Sequence, residues 1–207
     1  MRGLGWAFGD GFCGMGLGII ILAAGQSRRM RGGDKLLEMV NGQPLLRHIQ
    51  QAAAAVACPI WVALPHPGHP RAAHLLPTSL PVYVPDATQG MGASIRHTVA
   101  ALPPDISAAM ITPADMPELT GADFIALAGA YRGQILRATS AQGQAGHPVI
   151  FPRSCFADLL TLQGDRGARA LLAQAQDLQT LALPGTHATT DLDTPEAWAE
   201  WRAAQRP

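Results

Sequence analysis

Residues 18–35 constrain the fold more than any other stretch, because a short aliphatic run leads directly into a cationic loop that contains glycine. The run at residues 19–22 has no polar alternation, which is typical of a central strand covered on both faces. Ala23, Ala24 and Gly25 then remove side-chain bulk, so that a ligand can lie against backbone amides. The basic side chains that follow suit the binding of a polyanion such as a triphosphate. They are Arg28, Arg29, Arg31 and Lys35.

The same loop is also compatible with an ordinary strand-to-helix turn whose arginines are solvated, since glycine-containing turns are common. Two known phosphate-binding patterns are excluded. No G-K-[ST] ends the loop, so it is not a Walker A loop, and G-x-G-x-x-G is absent, so it is not a dinucleotide fingerprint. The loop alone therefore leaves two interpretations open.

Length and charge favour one α/β domain and argue against binding of nucleic acid. At 207 residues and 21.7 kDa the chain fits a single α/β domain at residues 18–207, with residues 1–17 as a loose N-terminal leader. Only 14% of the residues are charged and the formal net charge is zero, so no global basic field attracts nucleic acid. Any phosphate site must therefore be local.

Cysteine usage and hydropathy predict a cytoplasmic protein outside the membrane. Cys13, Cys58 and Cys155 lie far apart and form no C-x-x-C pair, so neither a zinc site nor a disulfide framework is expected. The apolar runs are much shorter than a membrane span. A reducing cytosol is the compartment that fits both observations.

Strand and helix patterns alternate from residue 18 onward, which predicts a Rossmann-like, mostly parallel α/β sheet with helices on both faces. An antiparallel excursion is expected around residues 135–152, and residues 36–40 are expected to form a short extended piece. The predicted strands are residues 19–22, 60–64, 82–84, 108–112, 134–139 and 148–151. Ligands bind open α/β sheets at the carboxyl ends of the strands, and the polar candidates lie there.

A second glycine-containing turn, at residues 85–94, follows the third predicted strand. Gly90 and Gly92 bracket Met91 just before a helical pattern, so backbone amides at a helix N-terminus can face a nucleobase or a phosphate. A plain glycine-containing N-cap is the alternative, and the pattern alone does not decide between them. The polar residues of the turn that join the candidate set are Asp86 and Ser94.

Three aspartates are the candidate metal ligands. Asp115 lies between two prolines just beyond a buried strand, which holds its backbone rigid. Mg²⁺ takes one or two protein carboxylates and completes its shell with water and phosphate oxygens, so a rigid carboxylate here suits magnesium. A turn aspartate that binds its own backbone is the alternative. Near the end, Thr194 and Pro195 form a helix start, which leaves Asp191 and Asp193 without a structural explanation.

Two other polar groups carry structural explanations of their own. Thr120 with Asp123 three residues later is typical of a capping box, so Asp123 is not counted as catalytic. His66, His69 and His74 lie in or near a proline-rich loop, where solvated side chains and a metal site are both compatible with the pattern.

Five further motifs and the first loop together carry a resemblance to one family. The stretch L-A-A-G-x-S-x-R-M-x-G-x-D-K-L-L resembles the signature of the MobA-like nucleotidyltransferases, and its A-A-G form resembles the branch that cytidylylates molybdenum cofactor. Arg31 stands where that family more often has glycine. The other segments that resemble this branch are Q-G-M-G-A-S at 89–94, T-P-x-D-M-P at 112–117, G-H-P-V at 146–149, G-D-x-G-A-R at 164–169 and D-x-D-T-P-E at 191–196.

The resemblance implies a nucleotidyltransferase of the glycosyltransferase-A-like fold, which uses Mg²⁺ to transfer CMP from CTP to the phosphate of molybdenum cofactor and releases pyrophosphate. It implies that Arg29 and Lys35 hold phosphates, and that Asp115 binds magnesium together with Asp191 or Asp193. The residues that it assigns to substrates are Leu22, Ala23, Ala24, Gly25, Ser27, Lys35, Asp86, Gly90, Met91, Gly92, Ser94, His147, Asp165 and Arg169. A client molybdoenzyme of the xanthine dehydrogenase type would receive the product.

Three alternatives remain beside this interpretation. The same fold can use GTP and make a guanine dinucleotide, and guanylyltransferases of the fold usually carry G-P-x-x-G where this chain has G-M-G-A-S. It can act instead on a sugar phosphate. A non-catalytic carrier that hands the cofactor to a molybdoenzyme is the third, although the retained cations and the proline-flanked Asp115 argue against an inactive enzyme.

Overall fold

The computed structural model describes residues 16–164 and 167–205. Its strands are β1 (Leu17–Leu22), β2 (Met39–Val40), β3 (Gln43–Pro44), β4 (Ile60–Leu64), β5 (Ser79–Tyr83), β6 (Ala108–Pro113), β7 (Leu136–Thr139), β8 (Ala145–Pro152) and β9 (Gln179–Ala182). Its helices are α1 (Leu45–Ala54), α2 (Met91–Ala100), α3 (Gly121–Ala130), α4 (Phe156–Leu159), α5 (Arg169–Gln174) and α6 (Pro195–Ala204). None of the described helices is long and apolar enough to cross a membrane.

Seven strands form one mixed sheet in the order β5-β4-β1-β6-β8-β7-β9. Strands β5, β4, β1 and β6 are parallel, β8 runs antiparallel to both β6 and β7, and β9 pairs parallel with β7. The predicted fold class and the predicted antiparallel excursion are therefore confirmed. Strand β1 lies inside the parallel half, as the aliphatic run predicted, and it begins at Leu17, one residue inside the stretch that we expected to be leader. The rest of that leader lies outside the described residues.

The central strand β1 shows why the sheet has two covered faces. Ile19 and Ile21 pack into the apolar cluster that includes α1 and α3, whereas Ile20 packs with Trp61 into the cluster that includes α2. Side chains alternate between the two faces of a strand, so a continuous aliphatic run fills a core on each side. The result is the three-layer arrangement of helices, sheet and helices.

Several local features differ from the prediction. Residues 36–40 are extended only at β2, because the Asp34 side chain accepts a hydrogen bond from Leu36 N and starts a 3-10 turn at Lys35–Leu37. Strand β5 begins at Ser79, three residues before the predicted start at residue 82. Strand β9 was not predicted, because it is an edge strand whose side chains are mostly exposed and therefore carry little hydrophobic signal.

Gly146 allows the loop before α6 to lie directly on β8. A Cβ atom at this position would lie 1.9 Å from the carbonyl oxygen of Ala188, and His147 N donates to the same oxygen at 2.8 Å. Only glycine accommodates that approach without a backbone shift. This contact therefore helps to place the loop that carries Asp191 and Asp193 beside the sheet.

Replacing Gly146 with alanine should destabilise the protein by about 1–3 kcal/mol, the usual cost of forcing extra atoms into packed structure. The matched control is Gly68→Ala, where the added Cβ meets only the His66 ring at 3.8 Å and the backbone is not left-handed. Urea unfolding followed by circular dichroism measures both. Equal midpoints for the two variants would contradict the role given to this contact.

Candidate active site

Two cavities meet at the carboxyl edge of the parallel strands. One has a volume of about 530 Å³ and lies between the loop after β1 and the turn before α2. The other, about 480 Å³, lies over β6 and β8 and reaches α5. Six residues line both cavities: Leu22, Arg29, Lys35, Met91, Asp115 and Asp193. These six residues form a shared wall, and four of them have charged side chains. Two ligands, one in each cavity, can therefore approach each other across this wall.

An acidic trio made of Asp115, Asp191 and Asp193 lies at the shared wall, where Asp115 and Asp193 line both cavities and Asp191 lines the second. One ligand oxygen from each lies within 4.8 Å of the others, although the residues come from two distant segments. Leu192 N donates to Asp115 O at 3.3 Å and ties the segments together. Burial, and after it the charges of Asp115 and Asp193, raise the pKa of Asp191. Carboxylates crowded in this way are stabilised by a cation.

The trio fits a divalent metal ion. The Oδ1 atom of Asp115 is buried and has no hydrogen-bond partner among the described residues. Such an orphaned oxygen is costly to bury unless it binds a ligand. Hard carboxylate oxygens are the donors that Mg²⁺ and similar ions prefer. The alternative of a histidine site has no support: across residues 16–164 and 167–205 the acidic trio is the group of three or more side chains able to hold a metal, and it does not include His66, His69 or His74.

Lys35 and Arg29 join the acidic trio to the loop at residues 23–35 after β1, which is called the phosphate loop because the sequence predicts that it binds phosphate. Lys35 Nζ lies 2.5 Å from Asp115 Oδ2 and 2.5 Å from Asp193 Oδ1, and Arg29 binds Asp193 Oδ2 at 2.5 Å. Burial alone would lower the pKa of Lys35, but the two carboxylates outweigh burial and raise it. Lys35 is therefore firmly cationic, at a position from which it lines both cavities.

The phosphate loop departs from regular backbone at Ser27 and Arg31. Their φ angles are 50° and 51°, in the left-handed region that costs a non-glycine residue about 1–2 kcal/mol. The left-handed backbone explains why glycine is favoured at the position of Arg31. The Arg31 side chain is exposed, pairs with Glu196 at 2.7 Å and lines neither cavity, whereas the exposed Arg28 lines the first cavity but not the second. Arg29 and Lys35 are thus the loop cations that reach the shared wall.

A buried arginine that the sequence analysis missed holds the phosphate loop in shape. Arg71 is 1% exposed and lies in a 3-10 turn after β4. Its guanidinium donates to the carbonyls of Ala23 and Gly25 at 2.6 and 2.7 Å, to Ser27 Oγ at 2.9 Å, and to both oxygens of Asp34 at 2.7 Å. All five N–H groups of the side chain are used. The spacing of the sequence carries no signal for this, because the partners lie 37 to 48 residues away.

The glycines before α2 shape the other side of the first cavity. Gly90 has a φ of 103°, and Gly92 N donates to Gly164 O at 3.0 Å, where a Cβ atom would lie 3.1 Å from Gly164 O. Gly90, Met91 and Ser94 line the cavity, while Gly92 and Ala23 lie behind its surface. Asp86 lines neither cavity, because its carboxylate binds Arg96 at 2.9 Å.

The remaining candidates are divided between the two cavities. The structure brings Leu22, Ala24, Gly25 and Ser27 to the first, and His147, Arg169 and Asp191 to the second. The Nδ1 atom of His147 is buried without a partner in the described part of the chain. Burial, and after it the charge of Arg137, lower the pKa of His147 to about 4, so the ring is neutral near pH 7. Asp165 lies outside the described residues.

These features define a class of protein: an α/β fold with a cationic, glycine-containing loop after its central strand, an acidic trio that fits a divalent metal ion, and a second cavity beside that trio. The chain belongs to the MobA-like NTP transferase domain family, which matches residues 19–179, and it is a nucleotidyltransferase. The predicted family and enzyme class are confirmed.

Individual relatives agree with this assignment. The chain is 31% identical over 196 residues to a probable molybdenum cofactor guanylyltransferase of Synechococcus elongatus, which covers 89% of this chain and 97% of that protein. It is 33% identical over 121 residues to the bifunctional protein GlmU of Leifsonia xyli, which covers 56% of this chain but only 25% of that protein. The fold is similar to that of Rv0371c from Mycobacterium tuberculosis H37Rv, with a TM-score of 0.79, 23% identity and coverage of 89% and 96%. A manganese complex of the same protein has a TM-score of 0.73, with 22% identity and coverage of 89% and 96%.

Proposed function

We propose that this protein transfers CMP from CTP to the phosphate of molybdenum cofactor, a molybdopterin-type acceptor, and releases pyrophosphate. The observation that carries the proposal is the acidic trio, two of whose members line both cavities while the third lines the second, and the first cavity is also lined by the phosphate loop. A transfer between two bound ligands needs the acceptor oxygen in line with the α-phosphorus, and the shared wall is where the two ligands would meet.

In phosphoryl transfer of this kind the protein positions the two substrates and stabilises the negative charge of the transition state, and it forms no covalent bond to them. Asp115, with Asp191 or Asp193, would hold Mg²⁺, which supplies charge neutralisation at the α-phosphate. Lys35 and Arg29 lie at 2.5 Å from these carboxylates and reach the first cavity, so they can hold the phosphates that leave as pyrophosphate. Arg71 keeps the backbone of the loop in the shape that presents its amides.

Molybdenum cofactor as the acceptor is supported by the relative that spans nearly all of both chains, whose name includes molybdenum cofactor. Magnesium is supported by the carboxylate donors and by the manganese complex of a structural neighbour. We further propose that residues 18–207 work as one catalytic domain in the cytoplasm, and that a molybdoenzyme of the xanthine dehydrogenase type receives the product.

The nucleobase is the point at which two candidates compete. The segment G-M-G-A-S at 90–94, which resembles the cytidylyltransferase branch, supports CTP. The relatives named guanylyltransferase favour GTP as the second candidate. A sugar-phosphate acceptor has less support, because the match to GlmU covers only part of this chain.

Initial rates of pyrophosphate release with CTP and with GTP should differ by at least about tenfold in kcat/KM in favour of CTP, the size of one well-placed base contact. The assay contains molybdenum cofactor and Mg²⁺, with ATP and UTP as controls. A preference for GTP would replace our base assignment with the second candidate. Binding of cofactor without turnover of any nucleotide would indicate a carrier.

A further inference from the structure

The second cavity contains two arginines that the metal site does not use. Four cationic side chains line this cavity: Arg29, Lys35, Arg137 and Arg169. Arg29 and Lys35 bind Asp193 and Asp115, as described above. Arg137 and Arg169 have no carboxylate partner within residues 16–164 and 167–205. Asp115, Asp191 and Asp193 also line the cavity, but they lie beside Lys35 and Arg29. Arg137 and the exposed Arg169 are therefore available to bind an anionic ligand.

Arg137 is held so that most of its hydrogen-bonding groups stay available. It lies on β7, half buried, and its Nε donates to Gly146 O at 3.1 Å. Its terminal nitrogens have no protein acceptor in the described part of the chain. Burial, and after it the charge of Arg169, lower the pKa of Arg137. The two guanidinium groups thus disfavour each other until an anion lies between them.

Apolar side chains line another part of the same cavity. Ile95, Ile111, Val149, Phe151 and Leu172 contribute to the lining. A small acceptor with hydroxyl groups on every carbon would place polar groups against these apolar side chains, which is unfavourable. A ring system that carries one phosphate matches both the apolar lining and the two arginines.

We propose that Arg137 and Arg169 form a subsite for a phosphate monoester, and that the apolar lining binds the ring system that carries this phosphate. The inference rests on the proposed function in taking this cavity as the acceptor side. It adds Arg137, which no motif of the sequence identified, and it states which side chains bind the phosphate of the acceptor and which bind its ring system. Two guanidinium groups match the two charges of a monoester, and they would place its oxygen beside the acidic trio.

The test is calorimetric titration of the full-length protein with phenyl phosphate, without nucleotide. The variants are Arg137→Met and Arg169→Met, and Arg132→Met is the matched control because Arg132 is exposed and lines neither cavity. Each cavity variant should weaken binding about tenfold or more, the usual effect of losing one charge-assisted contact. The control should bind as the wild type does, and methyl phosphate should bind more weakly than phenyl phosphate.

Arg28→Met tests the phosphate loop separately, because Arg28 lines the first cavity but not the second. If phenyl phosphate occupies the loop instead, Arg28→Met will weaken binding and Arg137→Met will not, which overturns the inference. Absence of wild-type binding up to about 10 mM, a level at which only affinities weaker than millimolar escape detection, also overturns it. Arg137→Lys, which keeps a charge but loses the planar fork, should restore part of the affinity and so argues against a merely structural role.

A second readout distinguishes failure of this inference from failure of the proposed function. Arg137→Met should raise the KM for the acceptor about tenfold while the KM for the nucleotide changes less than about twofold. An effect on the nucleotide alone would overturn the inference and leave nucleotidyl transfer intact. Conversely, phenyl phosphate binding that depends on Arg137 in a protein without transferase activity would uphold the subsite and reject the proposed function.

Discussion

Replacing Asp115 with asparagine should lower nucleotidyl turnover by about two orders of magnitude or more, the usual cost of removing one preorganised electrostatic group. Asparagine keeps the shape of the side chain but removes its charge. The buried Oδ1 that has no partner in the described residues would no longer be a carboxylate oxygen. Lys35 would also lose one of its two anionic partners. The measurement is single-turnover pyrophosphate release over a range of Mg²⁺ concentrations.

The matched control for Asp115→Asn is Asp177→Asn, because Asp177 is exposed and lines neither cavity. The control should keep wild-type turnover and the wild-type dependence on Mg²⁺. If Asp115→Asn retained undiminished turnover with normal dependence on magnesium, the assignment of this carboxylate as a metal ligand would be rejected.

Replacing Arg71 with methionine should destabilise the protein by about 3 kcal/mol or more, because removal of one partner leaves a partly buried charge on Asp34 uncompensated. The loss also leaves the carbonyls of Ala23 and Gly25 without their donor. Since these residues shape the phosphate loop, the KM for the nucleotide should rise about tenfold or more. Urea unfolding and steady-state kinetics measure the two effects separately.

Arg71→Lys and Arg132→Met are the controls for this variant. Lysine keeps the charge but cannot make five bonds in one plane, so Arg71→Lys should recover part of the stability and little of the nucleotide affinity. Arg132→Met should change neither, because Arg132 is exposed and lies away from the loop. A stable Arg71→Met protein with an unchanged nucleotide KM would show that the loop keeps its shape without this side chain.

The ion pair between Arg71 and Asp34 should also make the stability of the protein depend on pH. Burial would raise the pKa of Asp34 from its usual 3.8, but Arg71, with smaller contributions from hydrogen bonds of Leu36 and Ser27, opposes burial and the pKa is lowered. The folded state therefore binds the proton less readily than the unfolded state, so the stabilisation is present above pH 3.8 and is lost as pH falls through the folded-state pKa. In Arg71→Met the loss of stability that Asp34 causes at acidic pH should be smaller than in the wild type. Urea midpoints between pH 3 and pH 7 test the sign.

The sequence analysis found the features whose chemistry is carried by adjacent residues. The aliphatic run before a glycine-containing loop predicted β1 and its cations, and the proline-flanked Asp115 predicted a rigid carboxylate after β6. The pairing of Asp115 with Asp191 or Asp193 came instead from the resemblance of residues 191–196 to the MobA-like family, and the structure brings the three carboxylates together.

The features that were missed depend on contacts between distant segments. Arg71 makes its bonds to residues 37 to 48 positions away, and Arg137 gains its meaning only when α5 brings Arg169 to the same cavity. Asp86 shows the opposite case. It lies in a turn that resembles a nucleotide-binding segment, but Arg96, placed by α2, binds its carboxylate. Long-range partners of this kind leave no periodicity in the chain.

The most direct test of the central claim is the mass of the product formed when the protein is incubated with molybdenum cofactor, Mg²⁺ and each nucleoside triphosphate in turn. Our account predicts a cofactor whose mass increases by one CMP unit, equimolar pyrophosphate, and loss of both in Asp115→Asn. A cofactor of unchanged mass with all four nucleotides would contradict the account.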